Sequence, residues 1–186
     1  WISMHNRSTA SSQGPDSVVS PFPEHGHDHD RCIDAAIAQA EQLCAARARR
    51  LTPLRRRVLE LVWASHQPVK AYDLLAHLRE ESASAAPPTV YRALDFLLAE
   101  RLIHRLASLN AYVGCAQPDH RHAGQFLICA QCQAVAELDD DSISALLGAR
   151  AAAQGFVLTD QVIELEGLCP RCQRVSSDRG QQRSEG

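Results

Sequence analysis

The chain contains no run of about 18 apolar residues, which argues against a membrane-spanning helix. Its first residues lack the apolar core of a secretory signal, so the expected compartment is the cytoplasm. Stable disulfides are uncommon there, and seven cysteines, an odd number, fit a closed disulfide framework poorly. Aromatics are sparse at 5% of the residues, so leucine, alanine, valine and isoleucine must build the core. No internal repeat is evident beyond one duplicated Cys-x-x-Cys. Metal binding or thiolate chemistry is therefore what the cysteines are expected to do.

The net charge of −3 is spread unevenly. Residues 47–105 carry eleven basic and six acidic groups, whereas residues 1–46 carry two and six, and residues 106–186 six and ten. A basic middle between acidic flanks is what a nucleic-acid face on a mixed-charge protein looks like.

Residues 1–30 are polar, punctuated by Ser, Pro and Gly, and aperiodic, so a disordered tail is expected there and again at 175–186. Between them the period is helical at first. Cys32, Ile33, Ala36, Ile37, Ala40, Leu43 and Cys44 make one apolar face, with both cysteines read as packed thiols. In LTPLRRRVLELVWAS, Thr52 is a good N-cap and Pro53 suits the first helical position. AYDLLAHLREE places Leu74, Leu75 and Leu78 on one side. PPTVYRALDFLLAERL turns Val90, Leu94, Leu97 and Leu98 inward and leaves Thr89, Tyr91, Arg92 and Asp95 toward solvent. IHRL and AYVG around SLN then read as a hairpin. Helices closed by a hairpin outline a winged helix-turn-helix. Beyond it, QFLIC, AVAEL and DQVIELEGL read as strands and SISALLGARAAAQG as a helix, a small α/β unit.

Cys129 and Cys132 in LICAQC, with Cys169 and Cys172 in LCPRC, have the spacing of a structural zinc site. Each tight turn supplies two thiolates, and the fold has only to bring two turns together. A redox Cys-x-x-Cys usually occurs singly, at a helix N-terminus. Such a metal would clip a small domain whose own core is thin. A second candidate set lies among His104, Cys115, His120, His122 and Glu137, where one thiolate, two imidazoles and a carboxylate suffice for tetrahedral zinc. His25, His27 and His29 in EHGHDHD are a weaker possibility. A zinc hydrolase would need an open coordination position, which four protein ligands do not leave, so no enzymatic activity is expected.

With LTPLRRRVLELV, AYDLL, PPTVYRALDFLL, LNAYVGC, FLICAQCQAVAE and VIELEGLCPRC in this order, the chain from about residue 48 to 173 resembles the ferric-uptake-regulator family, and within it the zinc-responsive members. The resemblance implies a mixed α+β fold. A winged-helix DNA-binding domain (31–108) would be followed by a hinge and metal-ligand loop (109–125) and an α/β dimerisation domain (126–174). It implies two zinc ions per subunit, one structural on Cys129, Cys132, Cys169 and Cys172, one regulatory on His104, Cys115, His122 and Glu137, with His120 the rival to His122. It implies Tyr72, Thr89, Tyr91 and Arg92 as DNA contacts; Arg55, Arg56, Arg57 and Lys70 read as candidates for phosphate contacts. The expected function is a zinc-dependent homodimeric repressor of zinc-uptake genes on double-stranded operator DNA, without membrane association. The alternative is another metal or peroxide sensor of the same family.

Overall fold

The computed structural model of the 186-residue chain describes residues 18–22, 29–64, 67–119 and 122–175. The fold is α+β, with four helices and a hairpin followed by a fifth helix and three strands of a four-stranded sheet, whose remaining strand precedes the helices. The helices are α1 (His29–Ala46), α2 (Pro53–Trp63), α3 (Ala71–Glu81) and α4 (Pro87–Ala99). Thr52 caps α2 as its side chain accepts the Arg55 N–H at 3.4 Å, and Pro53 fills the first position, where no N–H is needed. Pro87 and Pro88 start α4 in the same way, over an Ala86 that offers no side-chain cap. The four helices share one core in which Ala40, Val58, Leu74, Leu94 and Leu97 are fully buried.

The wing consists of β2 (Ile103–Leu106) and β3 (Ala111–Gly114), antiparallel with Ile103 opposite Gly114. Its turn is closed by the Asn110 N–H on the Ala107 carbonyl at 3.2 Å. Asn110 sits at φ 48°, a left-handed conformation that asparagine tolerates. Two bonds between Val69 and Tyr112 fasten β3 to the segment before α3. At Gly114 an added Cβ would come within 2.2 Å of the Trp63 indole, so the strand crosses that ring only because no side chain intervenes. The hairpin runs across residue 108, and β3 therefore lies within the expected hinge segment.

The second sheet has the order β1-β5-β4-β6. Strand β4 (Gly124–Cys129) pairs antiparallel with β5 (Val135–Leu138) and parallel with β6 (Val162–Gly167). The parallel pair needs a crossover, which α5 (Asp141–Ala153) supplies. Asp140 caps α5, accepting from the Ser142 and Ile143 amides at 2.8 and 3.4 Å.

One expectation is corrected. Residues 18–20, assigned to a disordered tail, form β1 (Val18–Ser20) on the outer edge of β5, with Ser20 opposite Glu137, and α1 already begins at His29. Strand addition uses backbone groups, so three residues can join a sheet edge without any hydrophobic period to announce them. At the other end a helical turn covers 170–175, so Val175 is structured, while the rest of the expected C-terminal tail lies outside the described residues. His25 and His27 also lie outside them.

Candidate metal centres and nucleic-acid face

Cys129 closes β4, Cys132 stands in the turn before β5, and Cys169 and Cys172 follow β6, so the parallel β4–β6 pairing brings the two thiol turns side by side. The four sulfurs lie within 4.8 Å of one another. The Sγ atoms of Cys132 and Cys169 are 3.7 Å apart, far beyond a disulfide. That separation matches the edge of about 3.8 Å in a tetrahedron with metal–sulfur bonds of about 2.3 Å. Burial opposes ionisation of Cys129, but backbone N–H groups of Cys169, Cys132 and Gln131 outweigh it and lower the thiol's pKa. The Cys169 amide is 3.4 Å from the Cys129 sulfur. Burial and the neighbouring thiols push Cys172 up instead. Without a cation to balance them, the cluster resists full ionisation. Phe22, just past β1, packs against these sulfurs.

The second set draws on different parts of the fold. His104 comes from β2, Cys115 follows β3, His122 stands in the loop before β4, and Glu137 lies on β5. Their ligand atoms also lie within 4.8 Å of one another. His122 Nε2 is 2.9 Å from Glu137 Oε1 and 3.7 Å from Cys115 Sγ. Glu137 is turned by its other oxygen, Oε2, which accepts the Ala116 amide at 3.3 Å. His104 Nε2 lies 2.9 Å from Glu137 Oε1 but off the direction of a hydrogen bond, a buried ring nitrogen with no hydrogen-bond partner. A cation at the centre would satisfy it, and the donor set of two imidazoles, one thiolate and one carboxylate fits zinc. His120 lies outside the described residues; among the described residues of that loop, His122 is brought to the cluster.

Electrostatics agree with a site suited to a cation. Burial works against a charged His104, but Cys115 and Glu137 prevail and raise it to about 9. The same two groups raise His122 to about 10. Burial opposes the Glu137 carboxylate, and the two histidines overcome it, down to about 2. Burial likewise opposes the Cys115 thiolate, yet His104 and His122 bring its pKa below the usual thiol value. Protons on the imidazoles thus occupy the electrostatic role of a metal.

In the helical domain, Tyr72 is 75% and Tyr91 53% exposed, and Thr89 and Arg92 are exposed beside Tyr91 at the front of α4. The arginine run also makes contacts within the chain. Arg56 pairs with Glu60 and Glu41, Arg57 with Glu60 and Glu81, and Arg55 stacks on Phe96 while donating to the Arg50 carbonyl. These are surface pairs, with the Arg56 and Arg57 side chains 45% and 41% exposed, and they leave the reading of Arg55, Arg56 and Arg57 as phosphate contacts an expectation. Lys70 is exposed at the N-cap of α3.

Sequence reasoning missed one buried acid. Glu100, at the end of α4, is 7% exposed; Arg49 Nε donates to it at 2.6 Å, and Arg47 donates both to its carbonyl at 2.7 Å and to the Pro118 carbonyl at 3.1 Å. The end of α4 is thereby tied to the loop that carries Cys115 and His122. An acid directly after a helix's last apolar residue was the available signal. Among the described residues no helix is long and apolar enough to cross a membrane.

This build, a winged helix meeting an α/β unit at a shared ligand cluster, defines a two-domain winged-helix protein with two candidate metal centres. The chain belongs to the ferric uptake regulator family, whose profile matches residues 46–166. It is 45% identical over 146 residues to the zinc uptake regulation protein of Escherichia coli K12, covering 77% of this chain and 84% of the relative. It resembles a zinc uptake regulator complexed with zinc and DNA at a TM-score of 0.75 and 43% identity, covering 78% of this chain and 97% of that one. It likewise resembles the crystal structure of holo XcZur, at 0.71 and 45%, covering 75% and 98%.

Proposed function

We propose that the chain is a zinc-responsive transcriptional repressor that binds operator DNA as a zinc-loaded homodimer and shuts off zinc-uptake genes. The observation that carries this reading is the origin of the second ligand set. One donor comes from the wing, two from the connection and one from the α/β sheet, and the four ligand atoms lie within 4.8 Å of one another. When bound there, zinc supplies a cross-link of fixed geometry. His104 ties down the wing, Cys115 and His122 the connection, and Glu137 the sheet. The winged helix is then held at one angle to the rest of the protomer, with Arg92 placed to pair with a guanine edge in a major groove and Tyr72, Thr89 and Tyr91 beside it. A hundredfold tighter grip on this locked arrangement than on an open one shifts the equilibrium by about 2.7 kcal/mol.

Cys129, Cys132, Cys169 and Cys172 would hold a second, structural zinc, giving two per subunit. Segment 31–108 serves as the DNA-binding domain, 109–125 as hinge and ligand loop, and 126–174 as the dimerisation domain. An apolar surface supports the homodimer: α5 has no residue buried within the chain, and Leu146, Leu147, Val162 and Leu165 are exposed. Four protein donors at each centre leave no open coordination position, which supports a regulator rather than a zinc enzyme.

The deciding experiment is operator binding on fragments upstream of metal-transporter genes, titrated separately with zinc, iron(II), manganese and nickel. Zinc is expected to act at the lowest free concentration, because the Cys115 thiolate favours it over the harder ions. Another ion acting first would favour a different metal sensor of the family, and no metal-dependent binding would end the proposal.

A further inference from the structure

We infer that Glu164 is a positioning residue, a clasp needing no metal by which the α/β sheet seats the turn of the wing and so sets where His104 meets the other sensing ligands. The inference rests on the proposed function and concerns how its lock is prepared.

Glu164 lies on β6, the edge strand, and its carboxylate reaches out of the sheet to the wing. One oxygen accepts the Ala107 amide at 2.7 Å and the other the Ser108 amide at 3.0 Å, across more than fifty residues of chain. Two bonds to successive amides fix rotation as well as position, which a single bond would not. Their target is stiff, since the turn is closed on itself and continuous with the β2–β3 ladder. Burial acts against the charge of Glu164, and donors from Ser108 and Ala107 outweigh it, keeping the carboxyl below its usual range.

The register shows why this matters for sensing. Phe126 on β4 is paired with Glu137 on one side and with Glu164 on the other, so the three form one row across the sheet. Phe126 touches the ring of His104 edge-on, with centroids 5.1 Å apart. The wing strand therefore lies along the row: His104 meets Glu137 at one end, and the turn meets Glu164 at the other. The dimensions agree, because two inter-strand steps span about 10 Å and the three to four residues from His104 to the turn span about 11 Å. One end of this seat needs a metal and the other does not. In metal-free protein the Glu164 end keeps the arrangement populated, and the apparent zinc affinity scales with that population.

The test uses the full-length protein with its thiolate site loaded, comparing the parent with Glu164→Ala, Glu164→Gln and Glu166→Ala. Glu166 stands on the same face of β6 two residues on and accepts neither wing amide. Two quantities are read: the free zinc giving half-maximal operator binding, and hydrogen exchange at the Ala107 and Ser108 amides without regulatory zinc. For Glu164→Ala, half-maximal zinc should rise about tenfold, equivalent to about 1.4 kcal/mol, with the parent's plateau regained at saturating zinc. Exchange at the two amides should quicken by a similar factor. Glu164→Gln should fall between, since it keeps the volume but turns an N–H₂ toward one donor, and Glu166→Ala should match the parent. A Glu164→Ala curve that overlays the parent's, unaltered exchange at both amides, or an equal shift in Glu166→Ala overturns the clasp. If the parent binds DNA without regard to zinc, the proposed function fails while amide exchange still decides the clasp.

Discussion

Zinc binding at the sensing site should release at least two protons near neutral pH, and its affinity should climb about a hundredfold or more per pH unit between pH 7 and 8. In the metal-free cluster His104 is raised to about 9 and His122 to about 10. Both rings carry a proton at pH 7.5, and an imidazole must lose it to ligate a metal. Each group well below its pKa adds one decade of affinity per pH unit, so two give about 2.7 kcal/mol per unit. Glu137, held at about 2, is already ionised and adds nothing. Cys115 is lowered by His104 and His122, and any proton its thiol still holds adds to the two from the histidines. Because the histidine values are raised, affinity is lost as pH falls. With ordinary values the histidines, at 6.5, would already be largely neutral, and chiefly the thiol, at 9.0, would contribute, giving about one decade per unit. Protein with only its thiolate site loaded would be titrated against a chromophoric zinc chelator at several pH values. Calorimetry in buffers of different ionisation heat would count the protons directly. A slope of one decade, or a count of one proton, would refute the picture of an imidazolium pair standing in for the metal.

Other substitutions separate the parts. Cys115→Ser should abolish zinc-dependent operator binding while size-exclusion chromatography still shows a dimer. Cys129→Ser should instead unfold the α/β domain, seen as lost cooperativity in thermal melts, because a structural zinc site contributes about 10 kcal/mol or more to folding. Arg92→Ala should weaken operator binding by about 1–3 kcal/mol in fluorescence anisotropy and relax the preference for one base. Leu146→Glu, on the exposed face of α5, should shift light scattering from dimer toward monomer at micromolar concentration. Glu100→Ala should lower stability by about 2 kcal/mol in urea titration. That is less than the full cost of breaking a buried pair, because the Arg47 and Arg49 side chains are 32% and 53% exposed.

What the sequence revealed, and what it hid, follows from the kind of interaction involved. Helix α2 was legible because Thr52, Pro53 and the Val58–Val62 spacing are local signals, and the thiol turns because two residues at fixed spacing carry the chemistry. The convergence of His104 with Glu137 was suggested by the donor types and narrowed to four residues by family resemblance, since no local rule joins a wing to a distant strand. Strand β1 and Phe22 were hidden because backbone pairing on an edge leaves no periodic trace. At Arg56 and Arg57 the charge is visible in sequence, but the pairs with Glu41 and Glu81 are not, because those acids lie on other helices. Glu164 was invisible because its partners are amides, which every residue but proline has.

Strand β4 ends in Cys129, the next turn holds Cys132, and the chain returns along β5 to Glu137. One β-hairpin thus carries half of the thiolate cluster at its bend and the sheet's contribution to sensing on its second arm. A slip of one residue in that hairpin would turn Glu137 to the opposite face and point a neighbour at the histidines. Stripping the bend would therefore erase the sensor's alignment rather than merely leave it empty, and a starved molecule would have to be re-pinned there before it regained the ability to respond.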